Sequence, residues 1–243
     1  MEMEEYKRDS DLPQYTVKQK LENYWYHYKW HTIVALFLIF AITISVLQFC
    51  SKTEYDAYLM YAGPYDATVS ETRDIVSSLE SVSDDYNGDG EINIGFLNLF
   101  MMTSKQIEER NAVGDGYTVN TKLVSDNTGV FHQEIQTGEV VIFLLDPSWF
   151  DFLYSETENK NFLMKISDIT EETNENFRYY NECGIYLNST PLSSLPGLCN
   201  LPENTILCIR TNGSLSSIFH KKAAEKNHSI HVAFFRKLLE YAP

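Results

Sequence analysis

The sequence predicts an α/β protein in which a single N-terminal transmembrane helix precedes one extracytoplasmic domain with a mostly parallel sheet. Three observations predict it. A long uncharged run lies near the N-terminus, between Thr32 and Ser51. Strand-like runs alternate with helix-periodic segments after it, and Val140–Leu145 is a continuous apolar run of the kind that fills the centre of a parallel sheet. With 243 residues, 44% of them hydrophobic, the chain can bury one full core, so one folded domain is expected.

The membrane segment comes first. The stretch TIVALFLIFAITISVLQFCS holds no ionisable side chain except its cysteine. At about 1.5 Å of rise per residue, roughly 20 such residues cross a hydrocarbon core of about 30 Å. Tyr24, Trp25, Tyr26, Tyr28 and Trp30 precede it, as amphipathic rings do at headgroup level, and a helix from about Val17 enters without a break. Lys18, Lys20 and Lys29 flank it on one side and Lys52 alone on the other, which puts the tail in the cytoplasm. The domains are therefore a cytoplasmic tail and interfacial helix start over 1–30, a transmembrane helix over 31–51, and an extracytoplasmic α/β domain over 52–243. Cell membrane, single-pass, is the expected location.

Two plainer readings of this segment compete. A cleaved signal peptide is disfavoured by a long first region containing six acids and by the lack of an A-x-A site. A buried helix of a soluble protein is rarely apolar on every face for so long. Cys50 ends Leu47-Gln48-Phe49-Cys50 like a lipoprotein box, but bulky Phe49 stands where that motif needs a small residue.

Beyond the membrane, Ala57–Tyr61 reads as a strand closed by Ala62-Gly63-Pro64. A helix follows from about Ser70 to Asp84 with Thr68 or Ser70 as N-cap. Ile92, Ile94 and Phe96 alternate as a second strand. Ser104–Asn111 and Thr121–Thr137 read as helices, the latter weakened near Asn127–Gly129. Gly138 turns the chain into Val140–Leu145, Asp146-Pro147 closes that strand, and Ser148–Tyr154 reads as a short aromatic helix. Gly184–Leu187 and Ile206–Ile209 are further strands, and Ser229–Tyr241 is a closing amphipathic helix.

Charge narrows the partners. The formal net charge is −15. Residues 52–204 contain 8 basic and 26 acidic side chains, and 205–243 contain 6 and 2, so an acidic body is followed by a mildly basic end. A nucleic-acid partner needs a basic face and is not expected. Cys183, Cys199 and Cys208 form no C-x-x-C pair; a Cys199–Cys208 bridge and buried free thiols are both open.

The segment Phe131-His132-Gln133-Glu134-Ile135-Gln136-Thr137-Gly138, running into Val140–Asp146, resembles the helix–Gly–strand unit of family 1 extracellular solute-binding proteins. A first strand near Tyr58, a second near Ile94, the segment Leu163–Ile169 and a late helix Phe234–Tyr241 agree in order with that family. The resemblance implies a bacterial protein with a type 2 periplasmic-binding-protein-like fold and a sugar or peptide ligand. About 190 external residues are too few for two lobes, so it implies a reduced, membrane-tethered relative. Glu139-Val140 also departs from the acidic residue that usually starts the strand.

Two residue sets are candidate sites. In an open α/β sheet, ligands sit beyond the carboxyl ends of strands, which selects Tyr61, Gly63 and Tyr65 after the first strand, Asp146, Ser148 and Trp149 after the central one, and Arg210 after a later one. The plainer reading makes Trp149, Phe150 and Phe152 packing residues and Asp146 a helix cap. The second set is Asp85, Asn87, Asp89, Glu91 and Asn93, spaced like the first nine positions of a calcium loop, with Gly90 at the sharp turn. Phe96 takes the position of the closing acid, and the plainer reading is a helix-to-strand turn. Calcium is the one cofactor candidate. His228 and His231, at i, i+3 with His220 upstream, lack a third ligand at useful spacing.

Ser214, Ser216 and Ser217 follow Asn212-Gly213 without a G-x-S-x-G elbow, and no Gly-rich phosphate loop is present. The expected function is non-enzymatic: a membrane-anchored binding or interaction protein, solute-binding-like, taking a small molecule or peptide. The alternative is an assembly or sensor subunit of a membrane complex that binds no small ligand.

Overall fold

A computed structural model describes residues 16–50, 54–155, 162–170, 175–212 and 221–242. The chain divides into two units between Thr53 and Glu54. The first holds one helix, α1 (Val17–Cys50). It is long and apolar enough to cross a membrane, and none of its most apolar window is covered by protein. Membrane anchors and signal sequences share this length and composition.

The second unit contains β1 (Ala57–Gly63), α2 (Val69–Val82), β2 (Ile94–Phe100), α3 (Ser104–Asn111), α4 (Thr121–Thr137), β3 (Ile142–Leu145), α5 (Pro147–Ser155), β4 (Tyr179–Asn181), β5 (Gly184–Tyr186), β6 (Ile206–Ile209) and α6 (Lys221–Glu240). Its six strands run in the order β2-β1-β3-β6-β5-β4. β1 is parallel to both β2 and β3, whereas the β3–β6, β6–β5 and β5–β4 pairings are antiparallel.

The fold is α/β, but the sheet is mixed, which corrects the expectation of a mostly parallel one. The reason lies in the connections. A parallel return needs a crossover, usually a helix. Between β4 and β5 only Glu182 and Cys183 intervene. Between β5 and β6 the chain makes short 3-10 turns at Leu187–Ser189, Pro191–Ser194 and Leu198–Asn200, with three prolines in the connection. Neither link supplies a crossover helix, so both strands reverse.

Alternation along β1 sorts the two layers of core. Ala57, Leu59 and Tyr61 face α2 and α6, joining Ile75, Leu79, Phe234, Phe235 and Leu238. Met60 and Ala62 face the other way, toward Phe131 of α4 and Phe150 and Leu153 of α5. This is the period-two geometry of a strand covered on both faces. A small third cluster joins Phe100, Val119 and Val124.

Local chemistry fixes the helix ends. Thr68 caps α2 in a reciprocal box with Glu71, and Thr103 caps α3 with Gln106. Asn120 caps α4, which ends on Gly138 at φ 76°. The weakness expected at Asn127–Gly129 does not break α4, because Asn127 Nδ2 donates to Phe100 O at 3.0 Å and anchors the helix to β2. Ile92 lies outside β2, which begins two residues later and runs to Phe100. α6 starts two turns before the expected Ser229.

Candidate functional site

The carboxyl ends of β1 and β3 bring together Tyr61, Tyr65, Asp146 and Ser148. Tyr61 is fully buried, and its hydroxyl accepts the Tyr65 N–H at 3.1 Å. Burial raises its phenol pKa, and the nearby Asp146 carboxylate adds to the rise. A Cβ at Gly63 would stand 2.5 Å from the Tyr61 hydroxyl and 3.3 Å from Asp146 Cβ, so only glycine lets the strand end pass this close.

Asp146 is buried, with 4% exposure. Its carboxylate accepts the Ser148 N–H at 2.9 Å and Gln106 Nε2 at 3.2 Å, and its carbonyl accepts the N–H groups of Trp149 and Phe150. It is the N-cap of α5, with Pro147 at the first helical position. Ser148 is exposed beside it. Trp149 packs on Phe131 and Phe152, and its buried Nε1 has no hydrogen-bond partner among the described residues.

Tyr65 donates its hydroxyl to Glu71 Oε1, and burial followed by that bond pushes its pKa up to about 12. The Tyr65 bond, then the Thr68 hydroxyl and N–H, hold the Glu71 carboxyl below its ordinary value. Asn200 Nδ2 reaches the same Glu71 oxygen at 3.3 Å. Asn98, opposite Tyr61 across the β1–β2 ladder, places Nδ2 3.5 Å from Ala67 O, and its buried Oδ1 has no hydrogen-bond partner among the described residues. Sequence reasoning missed Glu71, Gln106, Asn98 and Asn200. The T-x-x-E and T-x-x-Q spacings could have revealed the first two as capping partners; nothing local marks the asparagines.

Arg210 does not join this group, a correction to the sequence-based set. Because β6 runs antiparallel to β3, its carboxyl end lies at the opposite end of the sheet, where Arg210 N–H donates to Val141 O. Its guanidinium donates to Ile135 O at 3.1 Å, lies 4.6 Å from the centre of the Phe162 ring, and burial lowers its pKa to about 10.

The second set, Asp85 to Asn93, is a loop closed by its own side chains. Asp85 accepts the N–H groups of Gly88 and Gly90, Asn87 accepts that of Asp89, and Asp89 that of Glu91. Gly88 and Gly90 sit at φ 81° and 88°, where glycine is favoured. Asp56, a buried residue that sequence reasoning missed, ties the loop to the sheet by accepting from Tyr86 N at 2.7 Å, Asn87 N at 2.9 Å and Asn93 N at 3.0 Å. Among the described residues, no group of three or more His, Cys, Asp or Glu side chains is placed to hold a metal ion.

Both nitrogens of His231 serve the backbone. Nε2 accepts Tyr58 N–H at 3.0 Å, so Nδ1 is the nitrogen that donates, to Asn227 O at 2.8 Å. Burial lowers its pKa to about 4. His228 Nε2 bonds Arg210 O. Cys183 and Cys208 are buried free thiols and Cys199 is an exposed one, so Cys199 and Cys208 are not bridged. His220, Ser214, Ser216 and Ser217, and residues 51–53 at the end of the expected membrane segment and the start of the external domain, lie outside the described residues.

Comparison with protein-family models, curated proteins and solved structures returned no match.

Proposed function

We propose that this protein is a membrane-anchored, extracytoplasmic, non-enzymatic binding protein whose recognition surface is built around Tyr61, Tyr65, Asp146 and Ser148. The observation that carries the anchor is α1: a helix long and apolar enough to cross a membrane, its most apolar window unburied among the described residues, ahead of a second unit with its own two-sided core. What supports the surface is the convergence of two phenols, a buried carboxylate with no ion-pair partner among the described residues, and an exposed serine at one end of β1 and β3. The part-exposed Tyr65 ring and the Ser148 hydroxyl, whose backbone N–H groups are held by buried Tyr61 and Asp146, would suit a hydroxyl-rich or peptide-like ligand. The solute-binding resemblance and a bacterial origin belong to the same reading.

The experiment has two arms. Protease added outside intact cells should remove a C-terminal tag, and a protected tag rejects the orientation. A thermal-shift series on the full chain in detergent should show a rise with a sugar or a peptide that Tyr65→Phe diminishes. A rise that Tyr65→Phe leaves intact rejects the surface.

One observation favours the second reading, an assembly or sensor subunit without a small ligand. Most polar atoms of the cluster already bond the scaffold: Glu71 accepts from Tyr65, Thr68 and Asn200, and Asp146 from Ser148 and Gln106. Under that reading no ligand class shifts the melting temperature, and a defined membrane protein copurifies.

A further inference from the structure

The sheet has two edges, and they are built differently. β4 is three residues long, its register with β5 is irregular, and it is followed at once by Glu182, which pairs with Lys165. Short, irregular, charged edges resist strand addition. β2 is seven residues of regular register without a charge, Ile-Gly-Phe-Leu-Asn-Leu-Phe.

Parity shows which backbone groups of β2 point outward. Asn93 O accepts from Asp56 N and Met101 N donates to Gly63 O, so the odd-numbered residues between them face β1 and the even-numbered ones face away. At one end of the outer row, Glu80 Oε1 stands 3.4 Å from Ile94 N as an acceptor. At the other, Asn127 Nδ2 donates to Phe100 O. Between these caps, the N–H and C=O of Phe96 and of Asn98 make no hydrogen bond among the described residues.

We infer that β2 pairs edge to edge and antiparallel with β2 of a second copy of this chain, about a two-fold axis at Leu97. That register sets Phe96 of each copy against Asn98 of the other, where both residues turn their open backbone groups outward, and four ladder hydrogen bonds form. It also sets Ile94 against Phe100 of the second copy. The acceptor cap, Glu80, then meets the donor cap, Asn127, at both ends. This self-complementarity of donor and acceptor selects a second copy over an unrelated extended segment, since an isologous contact requires each patch to match itself. Two such sheets join into one continuous sheet of twice the width.

The test weighs the full-length protein in detergent or nanodiscs. The wild type should have twice the 28.1 kDa of one chain. Asn98→Pro should halve that mass while melting close to wild type, because the N–H it removes faces away from β1 and proline is tolerated at such edge positions. Leu97→Cys, in a Cys50→Ser, Cys199→Ser background, should cross-link on oxidation, since its Cβ would meet its symmetry mate across a non-hydrogen-bonded pair, about 5 Å away. A wild-type mass of one chain overturns the inference. So does an Asn98→Pro protein that stays paired, which would move the contact to another surface such as α1. If Asn98→Pro fails to fold, a Leu97→Cys protein that does not cross-link overturns it alone.

Discussion

Asp56 and Asp146 are both buried, at 2% and 4% exposure, and they stand at opposite ends of the sheet. Asp56, just before β1, accepts three backbone N–H groups from the Tyr86–Asn93 loop. Asp146, just after β3, accepts one backbone N–H and one side-chain amide. A carboxylate surrounded by backbone donors is a structural tie, spent on holding a loop. Asp146, with one bond to each carboxylate oxygen, keeps lone pairs unused by the scaffold beside the exposed Ser148. The Asp56 end is thus tied to its loop by three backbone bonds, whereas the Asp146 end is held by fewer.

The largest effect should come from the Asp56 end. Asp56→Ala removes the buried acceptor of three backbone N–H groups and should destabilise the domain by about 4 kcal/mol in denaturant unfolding, against about 2 kcal/mol for Asp146→Ala. Equal losses would break the contrast. Next comes pH. His231 is buried neutral with a pKa near 4 against about 6.5 unfolded, so its contribution is full above pH 6.5 and falls as pH drops toward 4, where the unfolded chain binds the extra proton. The loss over that window should be about 3 kcal/mol, and His231→Gln should flatten the slope of stability against pH.

A smaller effect sharpens the loop. Asp85→Ala removes the acceptor of two N–H groups and should cost about 1.5 kcal/mol in the presence of chelator. The same loss in millimolar calcium marks a plain turn, and a larger one marks a metal site. The smallest change lies at the Asp146 end: Thr68→Ala should cost about 1 kcal/mol through the lost cap of α2, read as a shifted denaturation midpoint at unchanged slope.

Much of the fold was legible because local signals agreed with it. Thr121–Thr137 is the helix its periodicity and flanking Asn120 and Gly138 indicate, and Ile206–Ile209 is the strand its apolar run indicates. What was not legible is relational. Nothing in Ile206–Ile209 says which way the strand points, so Arg210 was placed at the wrong end. Tyr179–Asn181 is too short to show alternation, and it becomes a strand only because β5 lies beside it. Asp56 reads as one acid among 34 until three loop amides converge on it. In the candidate site, Tyr61, Tyr65, Asp146 and Ser148 came from a rule about strand ends. Asn98 and Asn200 arrive through tertiary contacts that leave no mark in the neighbouring sequence.

α1 has 34 residues and contains neither glycine nor proline. At about 1.5 Å per residue it measures about 51 Å, whereas a hydrocarbon layer is about 30 Å thick. In a bilayer, some 20 Å of rod therefore stands clear of the lipid tails, ringed by Tyr24, Trp25, Tyr26 and Tyr28. With neither glycine nor proline along its length, α1 carries none of the residues at which helices most often kink, so the aromatic collar and the apolar stretch belong to one continuous helix.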